Sequence, residues 1–474
     1  VILIPLSIYI PPVQRFAVDM ASKWLSEETG MEISVGSFSL DFPLDFKMGD
    51  VLAIDGTDTI LNAGNLIMSI QAMPLLEGKV VADNITLENT DLNTNSLIEA
   101  ISFKGHVGNL SLNSENINIK EEYGKINHVT LKNSDLTITM PDSVPEDTTT
   151  AEPVKWKFDL DDINIENVRI AINLPPAADR MKVVTDIHEG KVMGKIDLEK
   201  SIFNFTDITL KESGVGFAMG DEIDIDTRFQ NLQLKARLNT ETGEYKLDGM
   251  NAIGSNIQFA SGTDMAMTLV ADTATLDGNI NVNTGIYTFP GIDMRNMKVR
   301  LDQGNDMTLE MNTERANLDG ILNIDSAIYD FTDINIAQSK VNLKLQDDLD
   351  LDMDFDKAAL DGHLNLDTSI YDFNGIKINK PVINLMQEDM KLALYGKEAS
   401  LDGKLNLETS VYNFSDILLD KADINLTQGQ DLKLDMTMAK GYVVNGTLDI
   451  DKADYKFDDL IVNQTNIKMK QGRD

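Results

Sequence analysis

The stretch "SAIYDFTDINIAQSKVNLKLQDDLDLDMDFDKAALDG", residues 326–362, carries the pattern on which the fold depends. Within it, Leu349, Leu351, Met353 and Phe355 alternate with aspartates. Successive side chains of a strand point to opposite faces, so alternation at period two predicts a strand with one apolar and one acidic face. The stretch therefore predicts a sheet with one solvent-exposed polar face and one apolar face that is shielded from water.

Copies of this pattern recur through the second half of the chain. The segment that reads "LDGHLNLDTSIYDF" has counterparts spaced 41 to 43 residues apart. These copies begin at Leu276, Leu318, Leu360, Leu401 and Val444, and a weaker one begins at Val192. Self-similarity at such a period indicates stacked units with a continuous core. We expect about three strands in each unit, with the glycine at the third repeat position forming a bulge or bend.

Composition excludes several classes of function. The chain has 41 Lys and Arg against 77 Asp and Glu, a formal net charge of −36, and would repel a nucleic acid. Its 42% hydrophobic content is ample for a buried core, which argues against wholesale disorder. The absence of cysteine excludes disulfides, thiolate metal sites and cysteine nucleophiles.

The amino end differs from the rest of the chain. Residues 1–12, "VILIPLSIYIPP", are apolar but shorter than the roughly 20 residues of a bilayer span, and we interpret them as the remnant of a membrane anchor. Residues 13–30 place apolar side chains at helical spacing, which predicts one short amphipathic helix that ends at Gly30. Period two begins directly afterwards, with a half-buried strand predicted over residues 37–48.

Four segments follow the helix. We predict an amino-terminal β-groove segment at 31–140, a flexible loop at 141–153, an irregular β-repeat segment at 154–275 and regular β-repeats at 276–474. The loop prediction rests on its proline, threonine and acid content.

Nothing in the sequence indicates an enzyme. The four histidines are scattered, without a partner at metal-ligand spacing, and no phosphate-binding loop or nucleophile elbow is present. We therefore expect no catalytic site, metal or cofactor.

The apolar face of the alternating strands must be shielded from water, but the sequence provides almost no helix that could cover it. Either the sheet closes on itself into a sandwich or solenoid with a dry core, or it curls into a trough that leaves its interior for an apolar ligand. With 22 Met and only 6% aromatic residues, the composition favours a trough with a flexible aliphatic lining. The predicted lining comprises Leu322, Ile324, Val341, Leu343, Leu345, Leu349, Leu351, Met353, Phe355, Leu364, Leu366, Ile383, Leu385, Leu392, Leu394, Leu405, Leu407, Ile424, Leu426, Leu432, Leu434 and Met436.

Residues 8–95 resemble a known family. The motifs that carry the resemblance are "PVQ" at 12–14, "MEISVGSF" at 31–38, "DVLAID" at 50–55, "DTILNAG" at 58–64 and "LLEGKVVADNITLEN" at 75–89. They are similar to the amino-terminal region of TamB proteins of the AsmA-like superfamily, in the form found in Bacteroidota.

The resemblance implies a protein anchored in the inner membrane of a Gram-negative bacterium, with its β-rich body in the periplasm. There a β-taco, or half-pipe, would carry phospholipid acyl chains between the inner and outer membranes. The family also implies a role in outer-membrane protein assembly or secretion with an Omp85-type barrel. Independently of the resemblance, a β-solenoid structural or adhesin protein with a closed core remains an alternative.

Overall fold

The computed structural model describes residues 12, 14, 15, 18, 19, 22, 23, 26, 27, 30–42, 44–71, 82–94, 102–118, 122–139, 155–174, 181–220, 223–304, 306–345, 349–365, 367–387, 389–406, 408–449, 452 and 454–472. This part of the chain is almost entirely β-strand, so the predicted all-β class is confirmed. Its strands fall into two compact units, Val1–Glu241 and Thr242–Asp474.

The first unit is one ladder of ten strands. They are β1 (Glu32–Asp41), β2 (Asp45–Asp55), β3 (Asp58–Ile70), β4 (Ala82–Asn93), β5 (Ser102–Asn118), β6 (Tyr123–Thr139), β7 (Lys157–Leu174), β8 (Met181–Asp197), β9 (Ile202–Met219) and β10 (Ile223–Asn239). Each strand pairs with the next in antiparallel fashion, except that β6 and β7 are parallel. The start of β7 therefore lies beside the start of β6, where Lys157 pairs with Tyr123.

The second unit continues with fourteen strands. They are β11 (Glu244–Ser261), β12 (Met265–Asn281), β13 (Ile286–Gln303), β14 (Met307–Asn323), β15 (Ile328–Leu345), β16 (Leu349–Asn365), β17 (Ile370–Asn379), β18 (Val382–Gln387), β19 (Met390–Tyr395), β20 (Glu398–Asn406), β21 (Val411–Gln428), β22 (Leu432–Asp449), β23 (Asp454–Phe457) and β24 (Leu460–Gln471). All of their pairings are antiparallel. β17 and β18 lie end to end along β16, separated by Pro381, which has no N–H to contribute to the ladder.

The prediction of three strands in each repeat was wrong: most repeats are built from two long strands, which between Ile370 and Asn406 are divided into β17 to β20. The segment "VNLKL" (341–345) ends β15, and "LDLDMDF" (349–355) and "LDGHLN" (360–365) both belong to β16. What looked like turns between short strands are bulges inside long ones. In β15 these bulges lie at Asp333 and Gln338, whose φ angles are 52° and 50°.

Within each unit, a bulge of this kind recurs at the same register in successive strands. The residues with left-handed backbone are Asp50, Asn89, Asn133, Asn167 and Glu212 in the first unit, and Gly254, Asn296, Gln338, Lys380, Lys421 and Gln464 in the second. Bulges bend the strands that carry them, so in each unit their alignment bends the strands along a line. In the second unit we call the buried residues beside this line the crease: Ser255, Ala271, Met297, Thr313, Ser339, Phe355, Ala422 and Met438.

The predictions for the amino end have different outcomes. The strand predicted over 37–48 is wrong: β1 and β2 form a hairpin in which Asp41 pairs with Asp45, and Phe42 in the turn is exposed. Residues 1–11 and the loop 141–153 lie outside the described residues. Only some residues of the predicted helix 13–30 are described, among them Gln14 and Val18 with helical backbone, so the helix stays a prediction. The segment boundaries also stay predictions.

No helix among the described residues is long and apolar enough to cross a membrane.

Candidate functional site

Strand registers in the second unit align apolar residues into rows that run across the strands. One row is Phe259, Met267, Leu301, Leu309, Leu343, Leu351, Leu385, Leu392, Leu426, Leu434 and Met469. The next is Ile257, Leu269, Val299, Met311, Val341, Met353, Ile383, Leu394, Ile424, Met436 and Ile467. We call these two rows the aliphatic wall. No charged residue interrupts either row.

Most of the predicted lining residues lie on this wall or at its outer end. Leu343 pairs with Leu351, Val341 with Met353, and Leu345 with Leu349 at the end of the strands. Among the described lining residues, Phe355 is buried in the crease, and Ile324 and Leu345 are exposed. The rest are half-buried. Leu366 and Leu407 lie outside the described residues.

Sequence reasoning missed part of this wall. Met307, Leu309 and Met311 in β14 pair with Leu345, Leu343 and Val341 and extend the same rows. The signal was present, since "MTLEM" at 307–311 and "MKVRL" at 297–301 both alternate. Both segments precede the "LDG" motif that was used to find the repeats.

The other end of the same strands carries a second surface, which we call the aromatic wall. Its outer row alternates tyrosine with leucine or isoleucine: Tyr245, Ile280, Tyr287, Leu322, Tyr329, Leu364, Tyr371, Leu405, Tyr412 and Leu448. Its inner row alternates phenylalanine with glycine: Phe289, Gly320, Phe331, Gly362, Phe373, Gly403, Phe414 and Gly446. The predicted lining residues Leu322, Leu364 and Leu405 therefore lie here and not with the aliphatic rows.

The inner row explains the glycine of the repeat. A Cβ at Gly403 would lie 3.2 Å from the ring of Phe414, so the missing side chain leaves room for the neighbouring ring to cover the backbone. The glycine at this position does not itself form the predicted bulge, because the extra residue lies in the neighbouring strand: Thr332 and Asp333 of β15 face the single residue Asp361 of β16. The bulge lies in the preceding strand, and the aspartate before the glycine binds it: Asp361 Oδ1 accepts a hydrogen bond from the Asp333 backbone N–H at 2.8 Å.

Both walls and the crease share one face of the sheet. A single extra residue in a strand shifts the alternation of its side chains by one position, and each bulge in β15 inserts such a residue. The inward positions therefore step by three from Phe331 to Ile334 and again from Ile336 to Ser339, so that they stay on one face. Inward residues of β15 are buried at the crease, half-buried on the walls and exposed at Leu345. Within the unit, the strand pairs with close backbone contacts are neighbours in the ladder.

The first unit has the same kind of face. One of its rows is Leu40, Phe46, Met68, Ile85, Leu112, Val129, Ile163, Val192, Ile208 and Leu234, and it continues through the parallel pair. At β1–β3 a cavity of 470 Å³ is lined almost wholly by apolar side chains, including Phe38, Phe46 and Met48. Gln14 Nε2 donates a hydrogen bond to the Leu40 carbonyl at 3.1 Å and so covers part of the edge strand β1.

The opposite face is polar and carries the aspartates of the opening stretch. Asn342 Nδ2 donates to Asp352 at 2.6 Å, and Lys344 approaches Asp350 at 3.4 Å. Nearby, the hydrogen bond from Arg300 lowers the pKa of Asp302, against the opposing effect of burial. Such exposed pairs contribute little to stability, so this face mainly provides a solvated surface.

The histidines also lie on the polar face, each beside a hydrogen-bonding partner. His128 Nδ1 is 2.8 Å from Asp162, whose pKa is lowered mainly by a hydrogen bond from Lys191, with further bonds from Asn164 and His128. In the described part of the chain, no group of His, Cys, Asp or Glu is arranged to hold a metal ion. The absence of catalysis stays a prediction.

Searches among protein families and among curated proteins identify no relative: no family model matches the chain, and no curated protein does.

Proposed function

We propose that the apolar face is a conduit for phospholipid acyl chains, in a periplasmic protein held at the inner membrane that carries lipid between the inner and outer membranes. One observation supports this most strongly. Two uninterrupted rows of apolar side chains remain half-buried in β11 to β22 and are exposed at Ile467 and Met469 of β24, which leaves solvent-accessible apolar surface that a ligand would bury.

The dimensions of the second unit suit a moving chain. The row through Leu351 crosses eleven strands, and steps of about 4.8 Å between strands give it a length of about 48 Å. That is several times the roughly 15 Å occupied by acyl chains in one leaflet of a bilayer. A hydrocarbon chain moving along it meets no charge that would have to lose its water.

A second candidate, an assembly factor that works with an Omp85-type barrel, rests on the resemblance of residues 8–95 to TamB proteins. Crosslinking from Leu351 in cells would test this candidate, since capture of a barrel protein supports it and capture of lipid alone speaks against it. A solenoid with a closed dry core has less support, because such a core would bury the residues of both walls.

The conduit is tested by placing a charge on the apolar face. We expect Leu351→Asp to fold, because a half-buried carboxylate keeps access to water, and to reduce phospholipid transfer between vesicles by at least tenfold. Asp352→Asn, one residue away on the polar face, is the matched control and should change neither quantity. The measurements are the melting temperature and transfer rate, with mass spectrometry of co-purified lipid. Unfolding of Leu351→Asp would reject the open groove, and unchanged transfer by the folded variant would reject the conduit.

A further inference from the structure

The outer row of the aromatic wall carries tyrosines at one place in each repeat. Tyr245, Tyr287, Tyr329, Tyr371 and Tyr412 are each the second residue of a long strand, next to the turn that ends the wall. Two residues further in, four of these strands carry a phenylalanine, such as Phe331 after Tyr329. In these four strands, the tyrosine ring therefore lies nearer the end of the strand, and the phenylalanine ring lies nearer its middle.

The hydroxyl groups of these five tyrosines have no hydrogen-bond partner among the described residues. Other tyrosines of the chain do: Tyr123 donates to Asp159 and Tyr442 to Asp416, both on the polar face. The five rings are half-buried, so their apolar bodies belong to the wall while their hydroxyls remain available. Tyrosine is the residue that suits a boundary where one end of the ring is apolar and the other is wet.

The opposite edge of the face lacks this feature. The outermost positions there are Ser261, Met265, Gln303, Met307, Leu345 and Leu349 in the first six strands of the unit, with no aromatic residue. The weaker copy in the first unit also lacks it, because Phe203 stands at the place of the tyrosine in β9. The row of hydroxyls is thus confined to one wall of one unit.

We propose that this tyrosine row binds the glycerol–phosphate region of the lipid through hydrogen bonds to its ester or phosphate oxygens. The inference rests on the proposed conduit and adds an orientation to it. Lipids lie with their polar ends along the aromatic wall and their chains across the crease towards the aliphatic wall. The tyrosines recur on every second strand, about 9.6 Å apart, so a lipid passes from one hydroxyl to the next without losing all of its polar contacts.

The test removes only the five hydroxyl oxygens. A variant with Tyr245→Phe, Tyr287→Phe, Tyr329→Phe, Tyr371→Phe and Tyr412→Phe is compared with a control in which Tyr123, Tyr395 and Tyr442, all on the polar face, are changed to Phe. Equilibrium binding of a diacyl phospholipid and of hexadecane, which has no acceptor oxygen, is measured for both and for the unchanged chain. Because one hydrogen bond contributes about 1 kcal/mol, phospholipid affinity of the five-fold variant should fall about fivefold while hexadecane affinity stays unchanged.

Two further ligands identify the acceptor. Diacylglycerol has ester carbonyls without phosphate, and an ether-linked phospholipid has phosphate without ester carbonyls; the one whose affinity falls in the variant contains the acceptor. In the ester case, the carbonyl stretch of bound lipid should shift to lower frequency in the unchanged chain and not in the variant. Equal losses for hexadecane and phospholipid, or no loss for either, would overturn the tyrosine proposal while leaving the conduit intact. An unchanged chain that binds no lipid would overturn both.

Discussion

The two walls of the second unit form one apolar face by different rules. On the aliphatic wall, Leu, Ile, Val and Met replace one another freely from strand to strand. On the aromatic wall, a glycine lies beside each phenylalanine, and at Phe331 the aspartate Asp361 binds the adjacent bulge. This difference indicates that the aromatic wall fixes the register of the sheet, whereas the aliphatic wall only supplies apolar surface. Substitutions of similar size should therefore affect the two walls unequally.

The largest effect on stability is expected where the aromatic wall is tightest. Gly403→Val would place methyl groups against Phe414 and Leu401, whose nearest atoms are already 3.2 and 3.3 Å from an added Cβ. Overpacking of this kind should lower the free energy of unfolding by about 3 kcal/mol, measured as a shift of the urea midpoint. Gly362→Ala is the milder control, since its Cβ would meet Phe373 at an ordinary 3.5 Å. Equal tolerance of both changes would show that the glycine row does not set the register.

The next prediction compares one truncation on each wall. Phe331→Ala exposes the backbone of two neighbouring glycines and should lower the free energy of unfolding by about 2 kcal/mol, less than a fully buried phenylalanine would. Leu343→Ala on the aliphatic wall should cost about 1 kcal/mol, because the side chain is only half-buried. Thermal unfolding of the two variants side by side gives the comparison. A larger loss of stability for Leu343→Ala than for Phe331→Ala would contradict the conclusion that the aromatic wall, and not the aliphatic wall, fixes the register.

A smaller effect is expected from the aspartate that binds the bulge. Asp361→Ala removes the acceptor for the Asp333 N–H and should lower the free energy of unfolding by about 1.5 kcal/mol. Asp361→Asn should retain most of the stability, since an amide oxygen also accepts, and Asn445 stands at this place in the last copy. Should the two variants unfold at the same urea concentration, the hydrogen bond has no part in holding the bulge.

The smallest effect concerns the crease between the walls, and its sign is opposite. The Oγ of Ser339 is buried without a hydrogen-bond partner, and Ala422 occupies the equivalent place in a later repeat. Ser339→Ala should therefore raise the free energy of unfolding by up to about 1 kcal/mol. Ser255→Ala is the matched control, because Ser255 Oγ donates to the Ala271 carbonyl, and that change should be destabilising. Calorimetric melting temperatures that fall for both variants would contradict this account of the crease.

Sequence alone predicted the aliphatic wall well and the aromatic wall poorly, for a physical reason. Leu349, Leu351 and Met353 alternate strictly, and alternation reports a face directly. The bulges at Asp333 and Gln338 interrupt this alternation with ordinary polar residues, which carry no glycine signature of left-handed backbone. In the sequence, each bulge is visible only as a spacing of three residues between the inward-facing positions before and after it. The long strands were accordingly divided into shorter ones.

The partnership of phenylalanine and glycine was equally hidden. Phe331 and Gly362 are 31 residues apart in the chain, and only the strand register brings them together. The recurring "LDG" and "YxF" motifs were visible as repeats, but their contact depends on the hairpin that joins β15 and β16. The tyrosine row follows from the same register, which no local pattern supplies.

The alternation of Tyr with Leu, and of Phe with Gly, makes two strands the smallest interchangeable part of the second unit. Deletion of a single strand would bring two phenylalanines, or two glycines, into opposition. Duplication or loss of a whole hairpin of about 42 residues preserves every partnership and changes the length of the rows by about 9.6 Å. A gene that encodes such a protein can therefore adjust its reach by recombination between repeats, in increments, without redesigning either wall.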